Sequence, residues 1–356
     1  MKQRNAIYLD LLGILLAIGA ALFIGIIVIL AISNEPVAAL RSLFIDPFTS
    51  LFSFGSVLNR MVPLVFTGLA IVVVFQSGVF SMGAEGQLYM GALTGALAAV
   101  YIPGLSPWIH IPLVIIASII GGGLFGFIPG FLKAVFKADE IVSTLMFNFI
   151  AVLFVSFLLN YVLKDPNSGG FARLPYVQGS AKLGQIIPGM PTHAGFLIAI
   201  VASIVVYFLM YKTKMGYELR TVGKNPLFAE YGGIATKKVI MLSIAISGAL
   251  AGLGGAVEVT GMHGTLKEGF SVGLGFDGII VCLLARNHPI GVLLSAFFYA
   301  YLQVGGQAMQ ANSDVPRDIA IIIQALLVLF ISSQAIFAYL KQRKLRSAQG
   351  GAPVAK

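Results

Sequence analysis

The side chains of this sequence that could act on another molecule are few, mostly uncharged, and set inside long apolar runs. Asn148, Asn160, Gln303, Gln307 and Gln324 interrupt stretches of Ile, Leu, Val and Phe, while Glu85, Gln87, Glu258 and Asp277 stand at the ends of others. Ionisable groups so placed are costly and usually functional; single amides often do no more than bond neighbouring helices. As a set, amides along a route suit a neutral solute with many hydrogen-bonding groups. A strongly charged solute calls for buried Arg or Lys, and the apolar runs hold almost none. Phe80, Phe147 and Phe270 lie close to these positions and can offer ring faces to a planar solute. For each residue the plainer alternative is helix packing.

Catalysis has no comparable set. His110, His193, His263 and His288 are scattered at the ends of apolar runs without metal-ligand spacing, so no metal is expected. The one cysteine, Cys282, sits within an apolar run. No glycine-rich loop ends in Gly-Lys-Ser or Gly-Lys-Thr, so ATP would have to bind a separate subunit, and no cofactor is expected. Gly121, Gly122 and Gly123 read as a site of close helix packing.

A second group of residues suggests mechanical rather than chemical work. Gly216–Ile234, GYELRTVGKNPLFAEYGGI, is a polar island between two apolar runs. Asn225 suits an N-cap, Pro226 the first helical position, and Gly232 and Gly233 a helix stop. The helix so bounded, Pro226–Tyr231, is roughly 9 Å long at 1.5 Å per residue. Leu227, Phe228 and Tyr231 share one of its faces. Such a knob is either an interfacial turn or a docking element.

The frame that holds these residues is a membrane. The chain has 356 residues, 58% hydrophobic and 10% charged, with a mean hydropathy of +0.93; a soluble domain carries about 25% charged residues. Long continuous runs point to helices rather than a barrel. Leu11–Ile32 is too long for the apolar core of a secretory signal and reads as a retained first span. Further candidates are Met61–Phe80, Leu88–Ile102, Ile111–Leu132, Ile141–Leu163, Ala194–Tyr211, Val239–Val259, Gly278–Ala285, Ile290–Ala300 and Ile319–Tyr339. The expected fold is thus an all-α polytopic bundle of about ten transmembrane helices. With the N-terminus inside, 16 of the 23 Lys and Arg residues fall on the cytoplasmic side, which places both termini in the cytoplasm of a cell-membrane protein. The same clustering explains the +9 net charge and argues against nucleic-acid binding. The expected layout is an N-terminal helix at 1–34, an external loop at 35–60, a core at 61–339 with a cytoplasmic loop at 212–238, and a basic tail at 340–356.

GVFSMGAEGQ (Gly78–Gln87) and GFSVGLGFDG (Gly269–Gly278) share a Phe-Ser opening, scattered glycines and one acid followed by glycine. In the derived topology they face opposite sides, as in an inverted internal repeat, and solute sites of transporters lie near repeat interfaces.

Together with the Gly216–Ile234 island, GVFSMGAEGQLYMGA (Gly78–Ala92) and GFDGIIVCLLARNHPIGVLLSAFFYAYLQVGG (Gly275–Gly306) resemble the permease family of ribose, branched-chain amino-acid and nucleoside importers. The resemblance runs from about Met61 to Ser333. The RNHPIGVLLSAFF run with VPRDIAIIIQALLVLF (Val315–Phe330) is similar to the nucleoside branch, which is served by basic-membrane-type lipoprotein receptors. Ala285 departs from the pattern, standing where a glycine is expected. The resemblance implies an ATP-binding-cassette (ABC) importer permease for nucleosides, not itself an enzyme. Its implied partners are a second permease in a heterodimer, an ATPase subunit and a substrate-binding lipoprotein. It also implies that Gly223, Lys224, Asn225, Pro226, Leu227, Phe228, Ala229, Tyr231, Gly232 and Gly233 form the coupling element that seats in the ATPase. Sugars and branched-chain amino acids remain alternative substrates. An ion-coupled secondary transporter, with Glu258 and Asp277 as ion ligands, is the alternative of another class.

Overall fold

Apolar runs with almost no charge must satisfy their own backbone groups in lipid, and in the computed structural model they do so as helices. The structure describes residues 18–316, 318, 319, 321–326 and 329. In chain order the elements are α1 (Ile18–Ile32), α2 (Pro36–Phe44), α3 (Asp46–Thr49), α4 (Leu51–Gln76), α5 (Ala84–Tyr101), α6 (Pro107–Phe136) and α7 (Glu140–Phe157). They continue with α8 (Gly195–Lys212), α9 (Lys214–Lys224), α10 (Pro226–Tyr231), α11 (Thr236–Glu258), α12 (Leu274–Leu284) and α13 (Pro289–Asn312). Single π turns, Leu158–Val162 and Val259–His263, extend α7 and α11. Among the described residues extended pairing is limited to isolated bridges. Most of the span expected at Ile319–Tyr339, the start of the one at Leu11–Ile32, and the tail at 340–356 lie outside the described residues.

The chain is an all-α membrane protein. Six described helices are long and apolar enough to cross a bilayer: α4, α6, α7 with its π turn, α8, α11 with its π turn, and α13. α1 and α12 are shorter apolar helices. The mostly buried α5 carries Glu85 and Gln87 near its start. One difference from the sequence reading is local. Residues 35–60, expected as a loop, hold α2, α3 and the first turns of α4. Pro36 opens α2, and the Ser50 hydroxyl accepts from Ser53 N at 3.0 Å to cap α4.

Two compact units divide the chain. In the smaller, residues 1–49 with 301–356, Tyr301 Oη donates to Phe44 O at 2.6 Å and Asn312 Nδ2 to Asp46 Oδ2 at 3.1 Å. In the larger, residues 50–300, α4 is central, with 89% of its apolar stretch buried against 22% for α6 and α7. The outer helices show rows of exposed apolar side chains, Ile116, Ile120 and Leu124 on α6 and Phe149, Leu153 and Phe157 on α7. Spaced about one turn apart, these rows suit lipid. Inside, α5, α6 and α11 approach backbone to backbone: a Cβ on Gly91 would strike Gly252, and one on Gly122 would strike Gly248. Small residues at such crossings let membrane helices pack closely, the use expected for the glycine triplet.

Candidate functional site

The two repeat-like motifs adopt similar local structures. In each, an irregular stretch ends at a glycine and a helix starts at the next residue: Gly83 precedes α5 and Gly273, with φ +80°, precedes α12. Each acid lies near its helix start, where the macrodipole favours negative charge. The motifs then meet. Glu85 Oε1 accepts from Ser271 Oγ at 2.7 Å and from Gly273 N at 3.3 Å, and Oε2 accepts from Gly275 N at 2.5 Å. The first motif's carboxylate therefore caps the second motif's helix. Gly275 has to be glycine here, since a Cβ would run into the Glu85 backbone. Tyr89 reinforces the junction, its hydroxyl donating to Ser271 O at 2.9 Å and its ring edge-on to Phe270 at 4.7 Å.

Asn148, on α7, fastens the first motif from the other side. Its Oδ1 accepts from Gly86 N and its Nδ2 donates to Met82 O, both at 2.8 Å. Thr144, one turn earlier, accepts from Met82 N at 3.1 Å. Gln87 accepts from Ser247 Oγ at 3.3 Å, while its buried Nε2 makes no hydrogen bond. Asp277 accepts from Tyr299 Oη at 2.8 Å. The structure thus gathers Glu85, Gln87, Asn148 and Phe270 at one junction. Phe80 instead stacks back on Phe75 at 4.8 Å, and Phe147 sits edge-on to Phe125 at 5.6 Å. Gln303 and Gln307 belong to the smaller unit, the first half-buried and the second exposed. Among the described residues no group of His, Cys, Asp or Glu could hold a metal.

The short helix of the polar island has the expected bounds. Asn225 Oδ1 accepts from Phe228 N at 3.0 Å, Pro226 opens α10, and Gly233, with φ +78°, follows its end. Ala229 is buried and seats the helix, whereas Leu227, Phe228 and Tyr231 are 68%, 65% and 92% exposed. These three large side chains form an exposed face on a short helix outside the long apolar helices. One contact ties this helix to the junction. A Cβ on Gly78 would lie 2.9 Å from Gly223 Cα, so the end of α9 rests on the first residue of the first motif. The loop between α6 and α7 is pinned by a Lys133–Glu140 ion pair and by Asp139, which caps α7 at Val142 N.

Sequence reasoning missed Ser271, Tyr89 and Thr144, whose roles depend on partners dozens to nearly two hundred positions away. It singled out Glu258 but not its neighbour His263, whose Nε2 lies 3.5 Å from Glu258 Oε1.

Residues 53–332 match the family described as branched-chain amino acid transport system, permease component. The chain is 35% identical over 335 residues to the glucose ABC transporter permease protein TsgB13 of Haloferax volcanii, covering 90% of this chain and 87% of that one. It is 33% identical over 336 residues to the guanosine ABC transporter permease protein NupP of Bacillus subtilis, covering 94% and 95%. It is 32% identical over 330 residues to the nucleoside ABC transporter permease protein NupB of Lactococcus lactis subsp. cremoris, covering 90% of each. No solved structure matches the chain.

Proposed function

The chain belongs to the permease-component family of branched-chain amino acid transport systems, and from that membership we propose that it is the membrane subunit of an ABC importer for nucleosides. The observation that carries the coupling half of this reading is the exposed apolar face of α10, Leu227, Phe228 and Tyr231. Capped at Asn225 and seated by Ala229, it is a rigid knob that needs a receiving cleft, and an ATPase subunit supplies one. Gly223 and Gly78 carry movement of that knob to the first motif, and Glu85 passes it to α12. The remaining coupling residues, Lys224, Pro226, Gly232 and Gly233, bound and orient the knob.

The guanosine and nucleoside permeases among the relatives support the substrate class, as does a polar set dominated by amides. The candidate pathway residues are Phe80, Glu85, Gln87, Phe147, Asn148, Phe270 and Asp277 in the larger unit, and Gln303 and Gln307 in the smaller. A second permease completes the pathway and a surface lipoprotein delivers the solute. The chain crosses about ten times, as the apolar runs of the sequence imply, and its two motifs mark an inverted repeat. Both termini are cytoplasmic, as are the loop at 212–238 and the basic tail at 340–356. The glucose permease relative favours a second reading, a sugar importer.

Competition separates the two. Uptake of labelled guanosine by cells that make the whole transporter should be blocked by excess uridine and untouched by excess ribose, glucose or leucine. If glucose or leucine blocks uptake and uridine does not, the nucleoside assignment fails and an importer of another solute remains.

A further inference from the structure

We propose that Val272 lines the solute route near the middle of the membrane and limits the width of what passes, a place the buried ring of Phe270 does not reach. This deepens the nucleoside-importer reading and rests on it.

The depth follows from α12. Its 11 residues measure about 16 Å, roughly half of a bilayer core of about 30 Å. Its far end is level with the end of α4, where Gln76 Nε2 donates to Asn287 O at 2.5 Å. Further back along both helices, a Cβ on Gly278 would strike Thr67. The two helices therefore run side by side in one direction, and α12 starts near the middle of α4, a 26-residue span. Val272 stands two residues before that start.

The residue is open at that depth. Val272 is 82% exposed, while Phe270 is 6% exposed and turned edge-on to Tyr89. An apolar residue placed just ahead of a helix cap often packs on the fourth residue of the helix. Here that residue is Asp277, whose carboxylate accepts from Tyr299 Oη. Lipid is an unsuitable cover for this turn. Among the described residues neither the N–H nor the C=O of Val272 makes a hydrogen bond, although Ser271 O before it and Gly273 N after it are both bonded. Unbonded backbone groups facing hydrocarbon cost several kcal/mol each, so irregular backbone at membrane depth lines protein or a water-filled route. A protein cover would bury both groups unless it matched them, whereas water satisfies them and a passing solute with donors and acceptors can replace that water. The carboxylates of the two motifs are engaged, Glu85 by Ser271, Gly273 and Gly275 and Asp277 by Tyr299. What the turn offers is an apolar side chain flanked by one donor and one acceptor, a surface for an uncharged solute.

The test places Val272→Cys in vesicles carrying the complete transporter. Cys282 is fully buried, so on this chain the new thiol is the reactive one. A charged, water-soluble methanethiosulfonate should modify it, either without nucleotide or with ATP and vanadate. Saturating guanosine should slow that reaction at least about fivefold, with ribose and leucine inert. Val272→Phe should lower kcat/KM for guanosine at least about fivefold more than for uridine, since the purine is the wider base, with the ATPase still co-purifying. A thiol reached only by a lipid-soluble maleimide marks a lipid face, and one modified only after detergent separates the subunits marks a subunit contact; either result overturns the proposal. Loss of guanosine and uridine uptake to the same degree in Val272→Phe overturns it as well. In those cases the native transporter still imports nucleosides and the importer reading stands. If the native transporter imports no nucleoside, that reading fails and the role of Val272 falls with it.

Discussion

Replacing Phe228 by aspartate should abolish nucleoside uptake while leaving the protein in the membrane at its normal level. Phe228 is 65% exposed and makes no part of the core, so the permease itself loses little. In the proposed docking the same position would be desolvated in the ATPase cleft, where an unpaired carboxylate costs several kcal/mol. A loss of about 3 kcal/mol of docking energy, well within the range of an interface hot spot, is roughly a hundredfold in affinity. Uptake should therefore fall to background, and the ATPase should no longer co-purify. Phe228→Leu, which keeps an apolar knob, should retain most activity. Capture of the ATPase and normal import by the aspartate variant would show that α10 is an interfacial turn.

Removing the Glu85 carboxylate should be as damaging, by a different route. Glu85→Ala strands three donors at once, Ser271 Oγ, Gly273 N and Gly275 N, in a buried junction. Each stranded group costs about 1–3 kcal/mol. Against a typical total stability of about 5–15 kcal/mol, that is a large share. The variant should fail to accumulate as a detergent-stable protein. Ser271→Ala, which removes one donor and strands no N–H, should be tolerated with a modest drop in thermal stability. Glu85→Ala as stable as its parent on heating would mean that the carboxylate does not hold the two motifs together.

These two residues also show what was legible in the sequence and what was not. The α10 helix was readable to its ends because its determinants are local: an Asn-Pro start, a two-glycine stop, and apolar residues three and four apart. Glu85 was readable as an important acid but not as a cap on α12, because its partners lie 186 to 190 positions away. No periodicity in the chain records such a contact. The Glu258–His263 pair was hidden for a geometric reason. In an α-helix residues five apart do not face each other, and only the π turn at Val259–His263, closed by Gly264 N to Val259 O at 2.7 Å, brings them within 3.5 Å. Residues 35–60 were read as a loop because α2 and α3 are too short to register as spans, although Pro36 marks a helix start.

The measurement that bears most directly on the transport mechanism is the energy source of guanosine uptake. Vesicles containing the complete transporter are loaded with ATP or with a non-hydrolysable analogue, and separately subjected to sodium or proton gradients. Uptake should require hydrolysable ATP, persist when ion gradients are collapsed, and disappear in Phe228→Asp vesicles. Uptake driven by a sodium or proton gradient without ATP, and unaffected by Phe228→Asp, would contradict an ABC importer coupled through α10 and identify an ion-coupled transporter instead.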